Sequence, residues 1–365
     1  MSILIFLLVL FVLVLVHEWG HFITAKKTGM RVDEFAIGFP PKLFGIKKGE
    51  TTYNFNILPI GGYVKIFGEN AEEGASPEDL ADAGRAFHAR PKWAQAVVLL
   101  AGITMNILFA WLLFSTTLLV GVPTAVDEAN ATPAAELIVA ATLKDTPADG
   151  VLPVGARIIE VNADSSRLTA PTPRKFSEFV GAAAPNPVAV TYSLDGEEKT
   201  VTLTPKQGLV EGEPDKFIVG TSLALVEERQ LGVVGAVVEG FKMTVNGIVS
   251  ITVGLATLIK QAVVGTADFS AVAGPVGIVG MVGDAASYGI TPLLTFTAII
   301  SLNLAVINLL PFPALDGGRL VFVIIEAITK RQVPPAWTGW TNLVGFVLLM
   351  VLMAAVTFND ISRLL

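Results

Sequence analysis

Residues 3–16 are apolar without a break, and after His17-Glu18-Trp19-Gly20-His21 the run resumes at Phe22-Ile23-Thr24-Ala25. The stretch has about the 20 residues that a membrane-crossing helix needs. It lacks the basic start and the small-x-small cleavage site of a secretory signal peptide, the rival reading. A second span is predicted from Trp93 to Val122, with no charged residue in it. A third apolar stretch begins near Leu293 and continues with interruptions to Ile328, and a last one covers Trp340 to Phe358. The pattern therefore predicts a polytopic α-helical membrane protein with about four transmembrane helices.

Residues 233–264 are apolar but carry Glu239, Lys242, Asn246, Lys260 and Gln261. Val234, Val237, Val238, Phe241, Val245, Ile248 and Val249 follow helical spacing. The expectation is an amphipathic helix lying at the membrane interface. The alternative is a fifth span, which would reverse the side on which the C-terminus lies.

Residues 123–232 read differently, with turn signals and β-rich runs at Leu137–Thr142, Arg157–Asn162, Val188–Leu194 and Lys199–Thr204. The segment is acidic and the size of one small domain. Three regions follow: a first membrane part at 1–122, an inserted domain at 123–232, and a second membrane part at 233–365. Lys26, Lys27 and Arg31 follow the first span, Arg85, Arg90 and Lys92 precede the second, and Lys330 and Arg331 separate the last two. Basic residues stay cytoplasmic, so both termini and the inserted domain are expected outside.

Of the 365 residues 52% are hydrophobic and 16% charged, against about 25% charged in soluble domains. With no cysteine, disulfides and thiolate metal sites are excluded. A net charge of -7 offers no broad basic surface, so no nucleic-acid partner is expected.

The chain has three histidines, and His17 and His21 stand four apart on the first span. Positions i and i+4 share a helix face, so both imidazoles can meet one metal ion. Glu18 adjoins the first ligand, where it can take a proton from a water molecule, as in the HExxH zinc hydrolases. Ionisable groups inside an apolar helix are costly and mark function. A catalytic zinc takes three protein ligands, and without cysteine a carboxylate is the natural third. Asp316 is the best candidate. It lies in Asn308-Leu-Leu-Pro-Phe-Pro-Ala-Leu-Asp316-Gly-Gly318, where prolines and glycines break an apolar stretch too long for one helix. Irregular backbone at membrane depth is tolerated where it faces protein or a wet cavity. A helix cap at the interface is the alternative reading of Asp316. His88 has no neighbours that would make a ligand set.

HEWGH at 17–21, with Asn308, Pro311, Leu315, Asp316, Gly317 and Gly318, resembles the two signatures of the site-2 protease family of intramembrane metalloproteases, in its regulator-of-sigma-E protease branch. Phe39-Pro40-Pro41, Pro59-Ile-Gly-Gly62-Tyr-Val-Lys and Gly274-Pro275-Val-Gly-Ile278 agree further. The resemblance implies Zn2+ held by His17, His21 and Asp316, with Glu18 as general base, in a multi-pass protein of the bacterial cytoplasmic membrane. It implies single-span membrane proteins as substrates, anti-sigma factors or signal-peptide remnants among them. Asn308 is a candidate for steadying substrate or the oxyanion. Asn106 is a weaker contact candidate, because Gly102-Ile-Thr-Met-Asn106 has isoleucine where the family usually has proline.

Tyr53, Phe55 and Ile57 alternate with polar residues ahead of a Pro/Gly turn, a hairpin signal. The family has a membrane-associated β-hairpin here, and its strands are expected to pair with an unwound substrate. Thr146 to Asn162 resembles a PDZ domain of the bacterial protease type, which implies one extracytoplasmic PDZ-like domain that binds or filters substrate ectodomains or peptide ends. A non-catalytic binding protein of the same fold and a zinc transporter are the rival functions. An intact HExxH with an acidic partner argues against the first, and apolar outer halves of the spans against the second.

Overall fold

The unbroken apolar run at the start of the chain forms helix α1 (Ser2–Lys27), which ends in Lys26 and Lys27. A computed structural model describes residues 1–69, 81–164, 166–194, 196–208, 216–266 and 273–364. They fall into two units, Met1–Leu119 with Gly232–Leu365, and the inserted Val120–Leu231.

After α1 come two long antiparallel strands, β1 (Val32–Lys48) and β2 (Thr51–Ile66), then helix α2 (Lys92–Val120). Each strand folds across its partner. Phe35 pairs with both Val64 and Tyr53, Ile37 with both Gly62 and Phe55, and Phe55 also with Phe44. In effect there are four strands, ordered 62–66, 32–39, 51–58, 42–48. The expected hairpin at 51–67 is thus split around β1. Tyr53, Asn54 and Phe55 are each paired on both sides, so that stretch has no edge to offer an incoming strand. Among the described residues, 62–66 and 42–48 are the open edges.

In the inserted unit, seven strands run in the order β3 (Val122–Ala125), β9 (Thr221–Arg229), β4 (Glu136–Thr142), β5 (Arg157–Ala163), β7 (Val188–Leu194), β8 (Glu197–Leu203), with β6 (Ser166–Thr169) on β5. Helix α3 (Pro173–Ala183) starts at Thr172, whose hydroxyl accepts from Lys175 N, and buries Phe176 and Val180. Residues 221–224 pair with β4 on one side only, since β3 takes 226–229. A cavity of about 180 Å³ lies between α3 and 217–223, lined by Phe176, Val180, Val219 and Leu223.

The chain returns as α4 (Val233–Val264), α5 (Pro275–Ser287), α6 (Ile290–Leu309), α7 (Asp316–Thr329) and α8 (Pro335–Leu364). Five helices are long and apolar enough to cross a membrane, α1, α2, α4, α6 and α8, where the sequence pattern predicted four. The addition is α4, a helix of 32 residues whose charged residues are too few to lower its hydropathy below that of a span. Ile248 and Ile251 pack in a cluster with Phe114 of α2 and Leu302 of α6. The third apolar stretch is two helices, because Pro311 and Pro313 break it and Ala314 takes a left-handed φ of 74°.

Four helices alternate in direction. His21 of α1 meets Val98 of α2 and His17 meets Asn106, so α1 and α2 are antiparallel. Ser301 of α6 meets Asn106, while Glu326 of the following α7 meets Lys92, so α6 runs with α1. Asn342 of α8 meets Ala314, and Asp360 caps α5 by accepting from Gly274 N at 3.0 Å and Gly277 N at 2.8 Å. Gly283 of α5 lies against Ser2. The start of α1 and the end of α8 are therefore at the same end of this unit.

Candidate metal centre

His17 and His21 are one turn apart on α1, buried at 9% and 8% exposure, with ring centroids 4.7 Å apart. Asp316 opens α7, a favourable place for a carboxylate because the helix dipole is positive there. The loop before it folds tightly back on α7. A Cβ at Gly317 would run into the carbonyls of Leu309 and Leu310, and one at Gly318 into Phe312 and Pro313. Only glycine fits this close approach, and the fold-back turns Asp316 towards α1. From the other side α8 braces the loop, with Gly345 against the Pro313 carbonyl and Asn342 Oδ1 accepting from Ala314 N at 3.3 Å.

His17 Nε2 stands 3.1 Å from Asp316 Oδ2 and 3.1 Å from His21 Nε2, and His21 Nε2 stands 3.3 Å from Asp316 Oδ2. A tetrahedral zinc with ligand bonds of about 2.0–2.2 Å sets its donor atoms roughly 3.3 Å apart. The triangle has the size of one face of such a tetrahedron. His21 Nδ1–H donates to the Val98 carbonyl at 2.8 Å, which leaves the Nε2 lone pair for a metal. Gly102 of α2 lies against both rings, and a Cβ there would stand 2.7 Å from His17 Cε1 and 2.8 Å from His17 Nε2. The donor set and its cradle fit a zinc ion. These three are the group of metal-binding side chains brought together among the described residues.

Glu18 is half-buried beside the triad. A Cβ at Gly62 would sit 3.7 Å from Glu18 Cγ, so the open strand 62–66 passes next to it. Arg319, one turn beyond Asp316, pairs with Glu69 just after β2 and ties α7 to the sheet. Burial, and then a hydrogen bond of 3.0 Å to the Glu34 carboxylate, push the Tyr63 phenol up from its ordinary pKa. At the far end of the sheet Arg85, then Lys26, hold the Glu50 carboxyl below the usual carboxylate range.

The remaining candidates are dispersed. Tyr53 packs on Phe22 and Phe35, at centroid distances of 6.0 and 6.1 Å, and anchors the sheet to α1. Phe55 stacks on Phe44 at 4.7 Å, and Ile57 is 49% exposed at the apolar tip of the sheet. Asn308 is half-buried in the last turn of α6. Asn106 is fully buried behind His17, with Nδ2 3.3 Å from His17 Nδ1, so it does not face an incoming substrate as expected. Sequence reasoning missed Val98 and Gly102. The spacing of Gly102 and Asn106, equal to that of the histidines, was a usable signal for Gly102. A backbone carbonyl carries none.

The chain matches Peptidase family M50 over residues 5–352. It is 37% identical over 351 residues, 96% of this chain and 95% of the relative, to a protein of Clostridium perfringens provisionally named a zinc metalloprotease. It is 30% identical to the zinc metalloprotease RasP of Geobacillus kaustophilus (99% and 98% of the two chains) and 29% identical to the regulator of sigma-W protease RasP of Bacillus subtilis (98% of each). The chain belongs to peptidase family M50, the site-2 type of metalloprotease. It is a multi-pass membrane enzyme.

Proposed function

We propose that this protein is a zinc endopeptidase that cuts the transmembrane segments of single-span membrane proteins, with His17, His21 and Asp316 as ligands and Glu18 as general base. The observation that carries the reading is the zinc-sized triangle of two imidazole nitrogens and one carboxylate oxygen, buried in apolar helices. Zinc held there supplies Lewis acidity, polarising the scissile carbonyl and acidifying water. Glu18 takes the proton from the attacking water and returns it to the departing amide nitrogen. Asn308 helps to steady the substrate carbonyl.

A substrate helix must unwind before its carbonyls are accessible, and its freed backbone then needs partners. The 62–66 edge beside Glu18 suits that role by strand addition. Phe55 and Ile57 contribute apolar side chains at the sheet tip, while Tyr53 acts indirectly by anchoring the sheet.

The inserted unit is a PDZ-like domain, a reading supported by its one-sided strand at 221–224 beside α3. It receives extended peptide ends or already-trimmed ectodomains. The name of the B. subtilis relative refers to sigma-W, which favours anti-sigma-type proteins as substrates. The enzyme sits in a bacterial cytoplasmic membrane, with both termini and the PDZ-like domain outside and the metal nearer the cytoplasm. The alternating directions of α1, α2, α6 and α8 favour four crossings. On that reading α4 stays on the outer side or is matched by a returning segment.

The test is cleavage of a defined single-span polypeptide by the purified full chain. Cutting inside the membrane segment is expected, lost with a zinc chelator and restored by zinc. Cutting that persists without metal would overturn the assignment.

A further inference from the structure

Three positions on α2, each four residues from the next, serve the two histidines of α1. The Val98 carbonyl accepts from His21 Nδ1–H, Gly102 leaves room for both rings, and Asn106 faces His17 Nδ1. The acceptors differ in kind. A backbone carbonyl can only accept, which fixes the His21 tautomer with Nε2 free. A carboxamide can present either oxygen or nitrogen.

Asn106 presents Nδ2 to His17 Nδ1 at 3.3 Å. That arrangement suits the tautomer with its proton on Nε2, directed at Asp316 Oδ2 3.1 Å away. In that tautomer His17 cannot ligate through Nε2. Asn106 Oδ1, meanwhile, is fully buried and has no hydrogen-bond partner. The backbone at this point is held, because Ser301 Oγ donates to the Asn106 carbonyl at 2.8 Å. A half-turn of the amide about its last bond would bring Oδ1 to His17 Nδ1 without moving either helix.

We propose that Asn106 is the positioning residue for His17: its side-chain oxygen accepts from His17 Nδ1–H and thereby turns the Nε2 lone pair to the metal. The inference rests on the metalloprotease reading. It gives a polar side chain deep in an apolar helix a specific task, which is where such residues are expected to have one. It also makes the two ligands equivalent, each with an acceptor on Nδ1, as outer partners of metal-bound histidines generally are.

The experiment measures zinc affinity of the purified full chain by chelator competition, for the wild type, Asn106→Leu and Asn106→Asp. Leucine removes the acceptor and is expected to weaken binding about 10–100-fold, whereas aspartate, an acceptor only, restores most of it. A leucine variant within about threefold of wild type, or equal losses in both variants, would overturn the inference. A wild type that binds no zinc would instead overturn the metalloprotease reading itself. A second measurement needs no substitution. With three histidines in the chain, nitrogen-15 labelling of their rings resolves each one in the zinc-loaded protein. A protonated Nδ1 on His17 is expected, and a protonated Nε2 with Nδ1 on the metal refutes the assignment.

Discussion

His17 Nε2 and Asp316 Oδ2 lie 3.1 Å apart although 299 positions separate them in the chain. The contact joins the first apolar helix to a short helix near the other end of the sequence. Both groups would be costly at this depth without a shared partner, since isolated polar groups in an apolar interior lose their hydration without compensation.

Glu18 is assigned to proton transfer and not to holding the metal. Glu18→Gln should therefore keep full zinc content and the wild-type fold while turnover falls by at least about 10²-fold. Metal analysis and cleavage of the same preparation check this, and a variant of undiminished activity removes Glu18 from the mechanism.

Gly102 makes the cradle by lacking a side chain. Gly102→Val should drive a branched side chain into His17 and His21, costing about 1–3 kcal/mol in packing strain and weakening zinc binding. Gly84, in whose vicinity nothing approaches an added Cβ, is the control. Equal zinc affinity of the two variants would show that the close approach is not needed.

The sheet makes a positional prediction about proline, which removes a backbone donor. At Phe55, paired on both sides with Ile37 and Phe44, proline should disrupt the sheet itself. On the 62–66 edge alternate N–H groups point outward. Of Val64→Pro and Lys65→Pro, one should keep thermal stability and lose cleavage. If the variant that keeps its thermal stability cleaves normally, the substrate does not add to this edge.

Glu50 ties the β1–β2 turn to its surroundings, 2.7 Å from Arg85 and 2.5 Å from Lys26. Its carboxyl is held below its ordinary pKa, so the tie is fully present above the unfolded value, about 4.3. It is lost as pH falls through the lower folded value. The pair is partly exposed, so the contribution is at most about 1 kcal/mol. The protection of amides around Glu50, measured relative to their intrinsic exchange rates at each pH, should fall on acidification below that point in the wild type. Glu50→Gln should show the lower protection already at neutral pH and no such step.

Much of this protein was legible in its residues. Helix-crossing runs follow from composition, because about 20 apolar residues suffice to satisfy a bilayer. The spacing of His17 and His21 follows from helix periodicity, and the breakers around Asp316 announced an interruption. Residues 233–264 read two ways, because Glu239, Lys242 and Lys260 give a wet face to a helix whose length and overall hydropathy also suit a span. The hairpin was misdrawn for a different reason. Alternation in Tyr53-Asn54-Phe55-Asn56-Ile57 identifies a strand but says nothing about which strands flank it. Here β1 does so on both sides, leaving 62–66 as an edge.

Local sequence alone determined the helices, the histidine pair on one helix face and the residue types able to complete a zinc site, because periodicity and hydropathy act over a few neighbours. Tertiary structure alone decided that Asp316 closes the triangle, that the Val98 carbonyl and Asn106 stand behind the imidazoles, and that Gly62 borders Glu18. Those outcomes depend on how α1, α2 and α7 pack. A backbone carbonyl or a missing side chain takes its meaning only from what lies against it.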